Sequence, residues 1–336
     1  MIDMQASAES TSRYCSRFPV FQQDGFYRSV LNLNVSSLGL GTYLGPADDL
    51  TDEAYVDAIL TAAESGINFF DTAINYRHQR SERCIGKALR SLQRDELVVC
   101  TKAGFLTPGA VPDFSLEPDE VAGGMHCISP LFLEDQIDRS RANMGLETID
   151  VFYIHNPETQ LGFRTREEVE ARLRRAFAHL ERLADRESIR YYGLATWSGF
   201  RSRDAFNLQR LCDLAVEEGG RDHHFRFIQL PFNLDMVEAF VDRPESVLEC
   251  AGRLGVAVVA SATLSQGRVL SGLPDAVAQF TPGLLSNALR AIQFTRSTPG
   301  ISVALVGMSR REHVLANLGI AGVPPLTREQ YMRFYQ

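Results

Sequence analysis

No two cysteines in this chain have the C-x-x-C spacing of a redox or metal motif, although six are present. Several of them sit in apolar runs such as LVVCTK, so they read as reduced thiols in a cytoplasmic protein, and a disulfide framework is excluded. No stretch reaches the roughly 18 apolar residues that a membrane helix needs. The opening MIDMQASAESTSRYCSR also lacks the apolar segment of a secretory signal. A soluble protein without a membrane partner is expected. A basic stripe is missing too: the 34 Lys and Arg are scattered, the 42 Asp and Glu outnumber them, and the formal net charge is -8. Nucleic acid is thereby set aside as a partner.

What is present is apolar material in short pieces. Hydrophobic residues make up 45% of the 336 and charged ones 23%, enough for a large buried core. Eight β-branched, apolar runs recur: VSSLGLG (35–41), INFF (67–70), LVVCT (97–101), DVFYI (150–154), IRYYGLA (189–195), FRFIQL (225–230), VAVVAS (256–261) and SVALVG (302–307). Most are continuous instead of alternating, the pattern of parallel strands covered on both faces. Amphipathic stretches separate them, among them DEAYVDAILTAAESG, which stops at Gly66, and SERCIGKALRSL, which opens on Ser81 as its expected cap. Eight strands each followed by a helix predict an α/β fold of the (β/α)8 TIM barrel type, in one domain.

The expected organisation is an N-terminal extension over 1–34, the barrel over 35–325 and a C-terminal tail over 326–336. Within the extension, the first twenty or so residues are expected to be loose, and GFYRSVLNLNV to form a hairpin across the barrel floor. A Pro- and Gly-rich loop, 105–128, interrupts the rhythm after the third strand, and a loop of that length in a compact domain is usually functional or disordered.

Chemistry in such a barrel sits where strands end, so the first polar residues after each apolar run are the informative ones. Strand two ends in Asp71, strand three in Lys102 and strand four in His155; Tyr76 follows strand two, and strand six carries Gln229. Singly, Lys102 reads as an ion-paired lysine, His155 as a structural histidine and Asp71 as a turn or cap residue. On successive strand ends they converge on one rim. There Asp71 pairs with Lys102, and the ammonium favours the phenolate of Tyr76, lowering its pKa and making it a proton donor near neutral pH. Neutral His155 orients a carbonyl oxygen beside the phenol. No Ser or Cys nucleophile stands beside a base, and no second carboxylate is available for glycoside chemistry. A polarised carbonyl with a proton donor calls for a hydride, which no side chain supplies; a nicotinamide cofactor is implied.

LGLGTY (38–43), FFDTAINY with SERCIGKAL after it, VVCTKAG, DVFYIHNPE, FIQL and ALVGMSRREHVLANL together resemble the aldo-keto reductases over about residues 33–320. The resemblance implies an NADP(H)-dependent oxidoreductase of aldehydes, ketones or sugar-like carbonyls, with NAD(H) as the alternative cofactor and no metal. It implies Asp71, Tyr76, Lys102 and His155 as the catalytic tetrad. By the same resemblance Gly41 and Thr42 lie near the nicotinamide, and Asp71, Thr196 and Gln229 belong to the cofactor's surroundings, with Gln229 holding the carboxamide. Leu264, Gln266, Gly267 and Arg268 follow the pyrophosphate; Gly307, Met308, Ser309 and Arg310 take the 2'-phosphate region, and His313 and Asn317 the adenine. The chain departs from the family in Ala195 and Thr196 where Ser-Asn is usual, and in Ser261 where an aromatic stacks on the nicotinamide. The 105–128 loop, with Met125, His126 and Trp197, is expected to shape a substrate pocket around Tyr76 and His155; His78 is expected to be exposed, and Cys127 to be a packed thiol. Two other functions stand beside this one: a cofactor-binding regulatory subunit with little turnover, and a Schiff-base aldolase acting through Lys102.

Overall fold

The structure, a computed structural model, describes residues 4–335 except 203, 204, 243 and 274, with only the backbone at 275 and 276. Its centre is a closed barrel of eight strands: β1 (Leu38–Gly41), β2 (Phe69–Asp71), β3 (Val98–Ala103), β4 (Ile149–His155), β5 (Ile189–Ala195), β6 (Phe225–Pro231), β7 (Ala257–Ser261) and β8 (Ile301–Gly307). Neighbours in sequence are neighbours in space, every pairing is parallel, and β8 closes on β1. This is the expected (β/α)8 TIM barrel.

Both faces of each strand are buried, which explains the continuous apolar runs. Phe69, Val98, Cys100, Val151, Tyr153, Phe227, Val259, Val303 and Leu305 fill the barrel interior. Their neighbours in sequence, including Phe70, Val99, Phe152, Ile154, Ile228 and Val258, join the core under the helices. The interior is tight enough to dictate glycine at two strand positions: a Cβ on Gly193 would stand 1.8 Å from the Phe227 carbonyl oxygen, and one on Gly39 2.7 Å from a Leu305 methyl.

The outer ring is α1 (Asp49–Glu64), α2 (Arg80–Leu89), α3 (Pro130–Met144), α4 (Arg166–Asp185), α5 (Leu208–Gly219), α6 (Val247–Leu254), α7 (Asn287–Ser297) and α8 (Arg311–Asn317). Thr165 and Glu168 form a reciprocal capping box at the start of α4, and Asp48 caps α1 through the Thr51 N–H. Ser81 is not the cap expected of it. The α2 cap position is Gln79, left-handed at φ 68°, while Ser81 lies within the helix and donates Oγ–H to the Thr42 carbonyl at 2.7 Å, tying α2 to the rim.

Residues 1–3 of the segment expected to be loose lie outside the described residues; from Ala6 on the segment is ordered. Ser7 caps a helix over Ala8–Ser16, in which Tyr14 and Cys15 are buried and the Tyr14 hydroxyl donates to the Ala63 carbonyl at 2.6 Å. The run VSSLGLG is two strands instead of one. Leu33–Ser36 pairs with Tyr27–Val30 in an antiparallel hairpin, and after Ser37 the chain re-forms as β1. Val30, Leu33 and Val35 of that hairpin pack into the base of the barrel interior. At the other end of the chain, Tyr331 is fully buried against Phe240 and Phe294.

Candidate functional site

Every barrel strand points its C-terminal end to one rim, so the last interior-facing residues of β2, β3, β4 and β6 meet there. Lys102 Nζ, with no exposed surface, donates to Asp71 Oδ1 at 2.5 Å and to the Thr72 carbonyl at 2.7 Å, and reaches the Tyr76 hydroxyl at 3.4 Å. The same ammonium sits 4.8 Å from the centre of the Tyr76 ring. Gln229 Nε2 donates to the other Asp71 oxygen at 2.8 Å, so both carboxylate oxygens have donors. The rings of Tyr76 and His155 meet edge to face with 5.9 Å between centroids. Asp71, Tyr76, Lys102 and His155 therefore form one contiguous group.

The electrostatics agree with the sequence reading in part. Burial is the largest single influence on Lys102 and opposes its charge, but Asp71 and Tyr76 together outweigh it and hold the lysine above its ordinary pKa. For Asp71, burial pushes the carboxyl above its ordinary value, and Lys102 and Gln229 pull it only part of the way back. Burial, then Lys102, then His126, depress His155 well below 6.5, so it is neutral at physiological pH. Tyr76 departs from expectation. Burial pushes its phenol above 10, and Lys102 offsets only part of this because the Asp71 charge acts in the opposite sense. The phenol therefore holds its proton firmly.

A cavity of about 810 Å³ opens over this group. Of the residues expected around a dinucleotide, Gly41, Thr42, Asp71, Thr196, Gln229, Leu264, Gln266, Gly267, Gly307, His313 and Asn317 line it. Arg268, Met308, Ser309 and Arg310 are not on its wall; Met308 is fully buried, and Arg268 Nε donates to the Ser265 carbonyl at 3.3 Å. Tyr76, His155 and Trp197 line the cavity as expected of a substrate pocket, and Trp197 is 46% exposed. His126 does not: it is fully buried one layer behind His155. Phe105 lines the cavity as the first residue of the 105–128 loop expected to shape it, while Tyr43, Asn75, Asn156 and Thr263 are wall residues that sequence reasoning missed. Tyr43 directly follows LGLGT, and reading a residue or two past that strand end would have found it.

The wall suits a dinucleotide. Thr196 Oγ1 and Thr263 Oγ1 are buried there without a hydrogen-bond partner, a costly state that an amide or hydroxyl of a ligand would relieve. Gly41, Gly267 and Gly307 present bare backbone to the cavity. Among the described residues no group of three or more His, Cys, Asp or Glu is placed to hold a metal ion, and no helix is long and apolar enough to cross a membrane. All six cysteines are buried and unpaired, Cys127 among them.

A (β/α)8 barrel with a buried carboxylate–ammonium pair beneath a phenol and an imidazole, at the base of a cavity of about 810 Å³, defines the class to which this site belongs. The family model for the aldo/keto reductase family matches residues 37–274, and the chain belongs to that family of oxidoreductases. It is similar to the NADH-specific methylglyoxal reductase of Escherichia coli, 33% identical over 129 residues, which are 37% of this chain and 39% of that protein. It is also similar to the L-glyceraldehyde 3-phosphate reductase of the same species, 27% identical over 305 residues, 84% of this chain and 78% of the relative. The chain spans 39%, 48% and 57% of the length of three of the curated relatives it matches, less than two thirds in each. An aldo/keto reductase of Klebsiella pneumoniae, solved with NADP and acetate, has the same fold at a TM-score of 0.67 and 19% identity, covering 92% of this chain and 94% of that one.

Proposed function

We propose that the protein is an NADP(H)-dependent oxidoreductase that interconverts a small aldehyde or ketone and its alcohol, with Tyr76 as the proton donor and acceptor. The observation that carries this reading is the placement of Lys102 Nζ between the Asp71 carboxylate at 2.5 Å and the Tyr76 hydroxyl at 3.4 Å, at the base of the cavity. A bound nicotinamide dinucleotide supplies or takes the hydride.

The rest is done by the chain's own groups. Neutral His155 donates a hydrogen bond to the substrate oxygen and turns it toward the phenol. As negative charge grows on that oxygen, Tyr76 gives up its proton, and the phenolate so formed lies beside the Lys102 charge. Asp71 and Gln229 keep the ammonium charged and in place. Buried Thr196 and Thr263 hydroxyls and the bare backbone of Gly41 suit the polar carboxamide end, and His313 and Asn317 at the far end of the cavity suit the adenine. Ser309 and the exposed Arg310 stand off the cavity wall but follow its wall residue Gly307 by two and three positions, and a guanidinium free in solvent there suits a 2'-phosphate that projects beyond the wall, which is the ground for NADP over NAD. The residues of the Lys102 network also speak against an aldolase: a lysine donating to Asp71, Thr72 and Tyr76 has no free lone pair for a Schiff base.

The test is Tyr76→Phe, assayed on a generic aldehyde with NADPH and with NADH. The expected loss in kcat is about 100-fold to 10,000-fold, with cofactor binding, followed by its fluorescence, unchanged. Retained turnover contradicts the role given to Tyr76. Tight cofactor binding by the unaltered protein with no turnover on any carbonyl supports the regulatory-subunit reading instead.

A further inference from the structure

The long segment after β3 does not hang free over the cavity. Its ladder, Val121–Ala122 against His126–Cys127, is laid back on the chain leaving β3: Phe105 bridges to His126, the Cys127 N–H donates to the Gly104 carbonyl at 2.8 Å, and the Leu106 N–H to the Met125 carbonyl at 2.8 Å. This brings the His126 ring beneath the last residue of β4. There Nε2 lies 2.7 Å from the His155 carbonyl oxygen, and Nδ1 lies 3.0 Å from Gln160 Nε2, which also donates to the His126 carbonyl at 3.2 Å.

The tautomer follows from the partners. A carbonyl oxygen only accepts and an amide nitrogen only donates, so Nε2 carries the proton and Nδ1 the lone pair. Both bonds hold only for neutral His126, and burial lowers its pKa to about 4. The space is reserved for this contact: a Cβ on Gly104 would stand 2.5 Å from the His155 carbonyl oxygen and 2.8 Å from His126 Nε2. Phe105 packs edge to face on both imidazoles, at 5.0 Å from His126 and 5.3 Å from His155. Just beyond His155 the chain turns sharply, with Asn156 left-handed at φ 47°. The backbone that carries the His155 ring is thus held from the strand side by β5, whose Ala195 carbonyl accepts from the Asn156 N–H at 2.6 Å, and from the loop side by His126.

We propose that His126 is a positioning residue for His155, fixing through its Nε2–H the backbone from which the His155 imidazole reaches the substrate. The inference rests on the reading of Tyr76 and His155 as the acid–base pair. It makes the 105–128 loop part of the reaction's geometry and not only of substrate choice.

Two replacements at His126 separate positioning from packing. His126→Phe keeps a planar ring and removes the donor; His126→Gln returns an N–H donor near the Nε2 position. The expected result is a kcat lowered by about 10-fold to 100-fold in the Phe variant, the scale of a misplaced catalytic group. Cofactor Kd should stay within about twofold, since no binding group is touched, and the Gln variant should recover most of the loss. Unchanged kcat in the Phe variant overturns the proposal. So does an equal loss in both variants, which a purely structural role would produce. Should the Phe variant fail to fold, Gln160→Leu frees the tautomer without emptying the site. A smaller drop in kcat with unaltered cofactor Kd is then expected, and unaltered kcat overturns the proposal. Tyr76→Phe is run alongside: an active Tyr76→Phe enzyme strikes down the functional reading itself, whereas an inactive one with an indifferent His126→Phe strikes down only the positioning role.

Discussion

Two buried ion pairs lie at opposite ends of the same barrel, and they differ in what else they touch. At the floor, Arg94 Nη2 donates to Asp150 Oδ2 at 2.6 Å, and both side chains are essentially without exposed surface. The Asp150 oxygens also accept from the Ala6 and Val99 N–H groups, each at 2.8 Å, and Arg94 Nη1 donates to the Leu97 carbonyl at 2.6 Å. Every one of these partners is held within the fold. At the rim, Lys102 and Asp71 are paired as closely, yet the third neighbour of the ammonium is the hydroxyl of a half-buried tyrosine on a cavity wall. The floor pair can only fasten the N-terminal segment to β3 and β4. The rim pair can lend its charge to something outside the chain. Burial and an ion pair alone do not mark chemistry; the orientation of the remaining partner does.

The largest expected difference between the two ends comes from cutting the floor pair. Arg94→Met leaves Asp150 charged and buried, and the loss of stability should be about 3–5 kcal/mol, read from urea unfolding, while the folded fraction keeps its kcat/KM. A large loss of kcat/KM per folded molecule would erase the distinction drawn between the pairs.

The rim adds an acid sensitivity of its own through its two buried histidines. His126 is neutral when folded, with its pKa lowered by burial from 6.5 to about 4, and burial, Lys102 and His126 depress His155 in the same direction. A depressed folded-state pKa means that the unfolded chain binds the proton first. Stability is therefore full above about pH 6.5 and falls as pH drops toward the folded values. For His126 alone the loss is about 3 kcal/mol between pH 6.5 and 4. Urea midpoints across that range should show it, and His126→Gln should flatten part of the slope.

A smaller effect sharpens the rim itself. Gln229→Leu removes the donor on Asp71 Oδ2 and leaves that oxygen buried, at about 1–3 kcal/mol. Both stability and kcat should fall while cofactor Kd changes little, because Gln229 Nε2 faces Asp71. A large rise in Kd with normal stability would return Gln229 to the carboxamide role that the sequence suggested.

What was legible in the sequence is what strand periodicity controls. The eight apolar runs, the order of the barrel and the arrival of Asp71, Lys102 and His155 at one rim all follow from local pattern and from counting to the end of each strand. Partnerships across the barrel do not. Gln229 and Asp71 are 158 positions apart, and nothing near either residue signals their hydrogen bond. His126 was legible as a loop histidine but not as a buried one, since its place depends on a ladder that folds the loop back on Phe105. The sign of the Tyr76 shift was misjudged because a nearby charge is visible in a motif and the extent of burial is not. The N-terminal helix had a signal, Ser7 before a polar run, but its fastening to the core comes from Tyr14 and from the Ala6 N–H on Asp150, a residue 144 positions away.

The central claim is that the rim pair exists for the phenol and the floor pair for the fold. Single-turnover hydride transfer from prebound NADPH to a generic aldehyde, compared between Lys102→Met and Arg94→Met at equal folded concentration, tests it most directly. Lys102→Met should lose about 1,000-fold or more, on the scale of a lost charge-stabilising group in a water-excluded site, and Arg94→Met should keep a rate close to that of the unaltered protein. Equal rates in the two variants, or a Lys102→Met enzyme that still transfers hydride at the normal rate, would contradict it.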